Sequence, residues 1–136
     1  IAIATAADVR QVLGRGARAA WVGTAFAACH EALSSPGSKR ALLAAGREDT
    51  VLTSAFDQAS GYGWPSDIPE RVIANDATRR WGAALGDADV DVAGRELRGA
   101  TEADDPSGMS VNAGTGVGEL RAERSAAEVV AALDPR

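Results

Sequence analysis

The chain has 136 residues, 46% of them apolar, and a formal net charge of −5. That length suits one ordinary domain. No apolar run approaches the ~18 residues of a membrane span, and no basic patch interleaved with aromatics is present for nucleic acid. The single Cys29 excludes an internal disulfide and fits a reducing, cytoplasmic setting.

Thr5-Ala-Ala-Asp8 has the spacing of a helix start, with Thr5 as N-cap. Ala6, Val9 and Leu13 continue it on one face until Gly14 and Gly16 end it. Ala19-Ala20-Trp21-Val22 is an apolar run without alternation, which predicts a short strand buried on both faces. It stops at Gly23-Thr24. Backbone N–H groups with no side chain over them, beside a hydroxyl, suit a phosphate group. In (β/α)8 barrels the loops after the last two strands do this work. A complete barrel needs roughly 250 residues, so the expectation is the C-terminal piece of a longer protein.

Ser35-Pro36 predicts a second helix start, running to about Ala45. Thr50–Thr53 reads as a short strand, 61–65 as a loop and Arg71–Asn75 as an extended piece. Asp76 is expected to cap a helix through about Leu85, with Ala77, Trp81 and Ala84 on its apolar face and Arg79 and Arg80 solvated. Residues 86–108 hold seven acids, two arginines and no aromatic, which predicts a solvated excursion with a small hairpin. Charge follows the same division: residues 1–80 are net +1 and residues 81–136 net −6. The acids at 87–91 and Asp104-Asp105 read as solvated rather than catalytic. Gly114–Gly118 is a glycine-rich turn without the Lys-Ser/Thr of a Walker loop. Ser125-x-x-Glu128 is a capping box opening a last amphipathic helix.

Cys29 and His30 are adjacent, but no further ligands stand at metal-site spacing, and sequence neighbours rarely face each other. His30 therefore reads as an ordinary surface residue, and no metal site is expected. Tyr62 and Trp64 are loop aromatics suited either to a substrate mouth or to pinning the loop.

Several blocks form an ordered set: VGTAF at 22–26, KRALLAAGREDTVLTSAFD at 39–57, RVIAN at 71–75 and VNAGTGVGELRAERSAAEVVAAL at 111–133. This set resembles the C-terminal portion of nitronate monooxygenases, formerly 2-nitropropane dioxygenases. The resemblance implies an α/β fold, the C-terminal part of a (β/α)8 TIM barrel with an appended small helix and loop region. On that view residues 1–82 carry the last barrel units, 83–110 the polar acidic excursion, and 111–136 the glycine turn and closing helix. It further implies an FMN-dependent flavoprotein that oxidises alkyl nitronates with O2 to a carbonyl compound and nitrite. The family's phosphate-holding segment corresponds here to Trp21, Val22, Gly23 and Thr24, Trp21 contributing by its backbone and otherwise packing.

Three departures accompany the resemblance. The family's Gly-Gly-Ile after strand seven is Ile1-Ala2-Ile3 here. Its Ala-Gly-Gln-Gly is Ala113-Gly114-Thr115-Gly116. Its catalytic His lies in a Gly-Gly-His-like context that has no counterpart, so no catalytic residue is assigned. The chain alone is therefore expected to be inactive. Two alternatives stand beside this reading: an FMN-dependent enoyl reductase-like oxidoreductase, and a non-catalytic remnant acting as an interaction module.

Overall fold

The computed structural model describes residues 2–65 and 67–136. The first part of the altered glycine pair, Ile1, lies outside the described residues. Helix α1, Ala6–Gly14, begins with a reciprocal capping box between Thr5 and Asp8. Helix α2, Thr24–Ala27, is a single turn. Helix α3, Pro36–Ala44, is capped by Ser35 with Pro at its first position, and it buries Leu42. Strand β1, Thr50–Thr53, leads through helix α4, Ala55–Ser60, to strand β2, Glu70–Ile73. Helix α5, Asp76–Trp81, is followed by α6, Val90–Glu102, and the chain closes with α7, Ala126–Leu133, behind the Ser125–Glu128 capping box.

β1 and β2 pair antiparallel, from Thr50 opposite Ile73 to Thr53 opposite Glu70. Residues 111–113 lie along the other edge of β2. Ile73 N donates to Val111 O at 2.9 Å, Ala113 N donates to Arg71 O at 3.0 Å, and Val72 bridges Asn112. One buried cluster gathers Ala28, Leu42, Ile73, Met109, Val111, Ala113 and Val117 around this ladder. A second joins Ala25, Cys29 and Val129, with Val22, Phe26 and Leu133 packed on it. Burying such apolar area is the main stabilising term.

Three expectations need correction. Residues 19–22 form no strand: their backbone makes no hydrogen bond among the described residues, and Trp21 is 94% exposed rather than packed. A strand exists only when a neighbour takes its N–H and C=O groups, and no described segment lies alongside. The predicted hairpin in the acidic stretch is instead the 13-residue α6. Its Ala93 and Gly94 are buried against α4, where a Cβ on Gly94 would stand 2.8 Å from Ala59 O. Finally, Asn75 rather than Asp76 caps α5, through a reciprocal box with Thr78, and the helix ends at Trp81.

Candidate functional site

Gly23 is the N-cap of α2, and its carbonyl accepts from Phe26 N at 2.9 Å and Ala27 N at 3.1 Å. The amides of Gly23, Thr24 and Ala25 donate to no acceptor among the described residues. Gly23 has φ −113°, open to any residue, and a Cβ there would meet nothing within 4 Å. Neither backbone strain nor packing within the described residues therefore demands glycine. What distinguishes this position is the open space at Gly23 beside adjacent amides that have no acceptor among the described residues.

Thr24 supplies the hydroxyl. Its Oγ1 accepts a hydrogen bond from Gly114 N at 2.9 Å, and its own proton has no acceptor among the described residues. The glycine-rich tail thus meets the Gly23-Thr24 turn directly. Gly116 packs on the N-terminal segment, where an added Cβ would lie 2.8 Å from Ala4 Cβ. Gly118 packs on Arg47, with an added Cβ at 2.7 Å from Arg47 N. Close approach of backbone is the reason for glycine at both places. Three segments converge in consequence: residues 2–4, 23–24 and 114–116. Residues 2–4 and 115–116 also border a polar dent of about 200 Å³, lined by Thr5, Asp8, Arg47 and Glu119 among others and not by Gly23 or Thr24.

Asp8 holds the N-terminal segment in place. Its Oδ2 accepts from Ala4 N at 3.1 Å, Thr5 N at 2.9 Å and the Thr5 hydroxyl at 2.8 Å. The Ala4 amide, then the Thr5 hydroxyl, keep its carboxyl below the ordinary value. Val22 is half-buried on the Ala25–Cys29–Val129 cluster, whereas Trp21 projects into solvent. The structure thus brings Gly23 and Thr24 to the converging segments and turns the Trp21 side chain away from the protein.

The remaining candidates resolve into structural roles. His30 is exposed, with Nδ1 3.4 Å from Glu123 Oε1. Cys29 is buried, its Sγ donates to Ala25 O at 3.5 Å, and burial pushes its thiol up. Among the described residues no group of three or more His, Cys, Asp or Glu is placed to hold a metal. Trp64 Nε1 donates to Ile68 O at 2.9 Å, which pins the loop on itself, while Tyr62 stays exposed. Arg80 is more than a solvated cation: it pairs with Glu96 of α6 at 2.8 Å and lies 4.4 Å over the Trp81 ring. Asp104 and Asp105 also make structural bonds, to Gly37 N at 2.7 Å and Ser107 N at 2.9 Å respectively.

Nothing in the sequence marks Gly114 as the partner of Thr24, or Arg47 and Ala4 as the residues against which Gly118 and Gly116 pack. The alternate glycines at 114, 116 and 118 were the available signal, since every second residue then permits close contact.

Solved structures share this fold. Nitroalkane oxidase from Streptomyces ansochromogenes superposes with a TM-score of 0.76 at 31% identity, over 96% of this chain and 36% of that one. FabK from Thermotoga maritima superposes with a TM-score of 0.75 at 22% identity, over 96% of this chain and 40% of that one. The chain therefore spans well under half the length of these proteins. No curated protein sequence matches it. The family profile of nitronate monooxygenases matches residues 2–135. The chain belongs to the nitronate monooxygenase family.

Proposed function

We propose that this chain supplies the phosphate-binding end of an FMN site in an enzyme that oxidises alkyl nitronates with O2 to a carbonyl compound and nitrite. The observation that carries the reading is the Gly23-Thr24 turn. Among the described residues the amides of Gly23, Thr24 and Ala25 have no acceptor, the Gly23 Cβ position is open, and the Thr24 hydroxyl proton is uncommitted. Such a set fits a phosphate monoester, which carries about −1.5 to −2 charge and three strong acceptor oxygens. Trp21 and Val22 lead the backbone into the turn. FMN, when bound, supplies the redox chemistry, and the protein binds and orients it.

This chain's own residues bind and position; none is assigned a proton-transfer role. Family membership and the 31% identity to a nitroalkane oxidase support the substrate class. The test is made on the intact protein that carries this chain. Thr24→Val is expected to weaken FMN binding by about 1–3 kcal/mol, the cost of an unpaired polar partner. Unchanged FMN affinity counts against the phosphate role. NADPH oxidation without nitronate turnover would favour the enoyl reductase-like alternative.

A further inference from the structure

We propose that the Gly114 amide is a positioning group that fixes the Thr24 hydroxyl as a donor to the cofactor's phosphate. The inference rests on the FMN-phosphate reading above and assigns the glycine tail a part in it.

A threonine hydroxyl has one proton to donate and two lone pairs to accept with. On a helix its side chain divides between two rotamers, because Oγ1 can bond a carbonyl one turn back. Thr24 opens α2, so no helical turn precedes it to offer such a carbonyl. Oγ1 accepts instead from Gly114 N, 90 residues away in sequence. The bond selects one rotamer, engages one lone pair and leaves the proton as the uncommitted donor. A phosphate oxygen, which only accepts, is the complementary partner.

The Gly114 amide is itself held rigidly. On one side Ala113 N donates to Arg71 O at 3.0 Å on the edge of β2. On the other, Gly114 O accepts from Val117 N at 3.0 Å in the one-turn helix 115–119. The ordering of the hydroxyl is thus completed in folding rather than during ligand binding, which is how preorganisation raises affinity.

Gly114 has φ −77°, which proline accepts. Gly114→Pro therefore deletes the N–H at a compatible φ, and its ring carbon, standing where that hydrogen met Thr24 Oγ1, drives the hydroxyl from this position. Gly114→Ala is the control. It keeps the N–H, and its Cβ would lie 3.5 Å from Thr24 Oγ1, an ordinary contact. The readout is the dissociation constant of the intact protein for FMN and for riboflavin, which lacks the phosphate. Expected is a loss of about tenfold for FMN and under about twofold for riboflavin in Gly114→Pro, with no change in Gly114→Ala. In a Thr24→Val background Gly114→Pro is expected to cost nothing further for FMN.

Equal loss of both flavins, or full additivity with Thr24→Val, overturns the proposal and makes the bond a fold tie only. A selective FMN loss in Thr24→Val without one in Gly114→Pro also overturns it, while leaving the phosphate reading standing. Wild-type protein that binds riboflavin as tightly as FMN disposes of the phosphate reading itself. Should Gly114→Pro fail to fold, hydrogen exchange at the Gly114 amide decides. FMN, but not riboflavin, is expected to slow that exchange, and an equal effect of the two overturns the proposal.

Discussion

Thr24 Oγ1 and Gly114 N stand 2.9 Å apart, joining the start of α2 to the glycine tail across 90 positions of sequence. The same tail, three residues earlier, lies on the edge of β2 through Val111 and Ala113. The placement of the hydroxyl is therefore set by strand register as well as by its own helix. A slip of one residue along β2 would turn every side chain on 111–113 to the other face and carry the Gly114 amide away from Thr24.

Gly23 separates ligand binding from stability. Because its Cβ would enter open space at an ordinary φ, Gly23→Ala is expected to shift unfolding free energy by less than about 1 kcal/mol, the scale of an N-cap exchange. FMN affinity of the intact protein is expected to fall at least about tenfold, since the methyl group occupies the space over the amides. Urea denaturation and flavin titration on the same preparation check both halves. Full FMN affinity in Gly23→Ala would remove the phosphate from this turn.

The opposite pattern is expected at Gly118. An added Cβ there meets Arg47 N at 2.7 Å and Arg47 Cα at 3.3 Å, both backbone atoms that cannot swing aside. Gly118→Ala is expected to destabilise by about 1–3 kcal/mol, as overpacking does. Gly114→Ala meets only ordinary contact and stays near wild type. Denaturation midpoints of the two variants, measured side by side, test the contrast.

What the sequence made legible was local. Thr5 and Ser125 cap helices where their spacing to Asp8 and Glu128 indicates, and Ser35 where the following Pro36 indicates, because a cap needs only near neighbours. Helix α6 was obscured by its charge. Val90, Ala93, Leu97 and Ala100 do fall at helical spacing, but the acids between them read as solvated loop. Residues 19–22 went the other way: their composition favours a strand, yet a strand is a relation between segments and no partner lies alongside among the described residues. The Thr24–Gly114 bond was illegible for the same reason, since nothing local to either residue names the other.

Asp104 ties the end of α6 to the start of α3. Its backbone is left-handed, at φ 52°, and its Oδ2 accepts from Gly37 N at 2.7 Å. A Cβ on Gly37 would lie 2.4 Å from Asp104 O, so the two positions constrain each other. The neighbouring Ser35 side chain and then the Gly37 amide hold the carboxyl below its ordinary 3.8. A depressed folded pKa means stability present above the unfolded value and lost as pH falls through the folded one. Asn tolerates the left-handed backbone and keeps an acceptor for Gly37. Asp104→Asn is therefore expected to be less stable than wild type at pH 6, with the gap closing below about pH 4. Urea midpoints across that range test it; a gap that persists at low pH would show that charge is not the stabilising element.

Glu70 carries the reverse sign. It sits half-buried at the start of β2, and Asn112 Nδ2 donates to its Oε2 at 2.8 Å. Burial raises its carboxyl above the ordinary 4.5, and the charge of Asp57 adds to the rise. The hydrogen bond from Asn112 and the nearby Ser110 side chain offset only part of it. A carboxyl whose folded pKa lies above the unfolded one costs stability when ionised. The cost is complete above the folded pKa and disappears once pH falls below the unfolded one, where both states are protonated. Glu70→Gln removes the charge and keeps a carbonyl to accept from Asn112. The variant is expected to be more stable than wild type at pH 7 and equal to it near about pH 4. Chemical denaturation at the two pH values decides. A Glu70→Gln protein less stable at pH 7 would mean that the charged hydrogen bond to Asn112 outweighs the desolvation of the carboxylate.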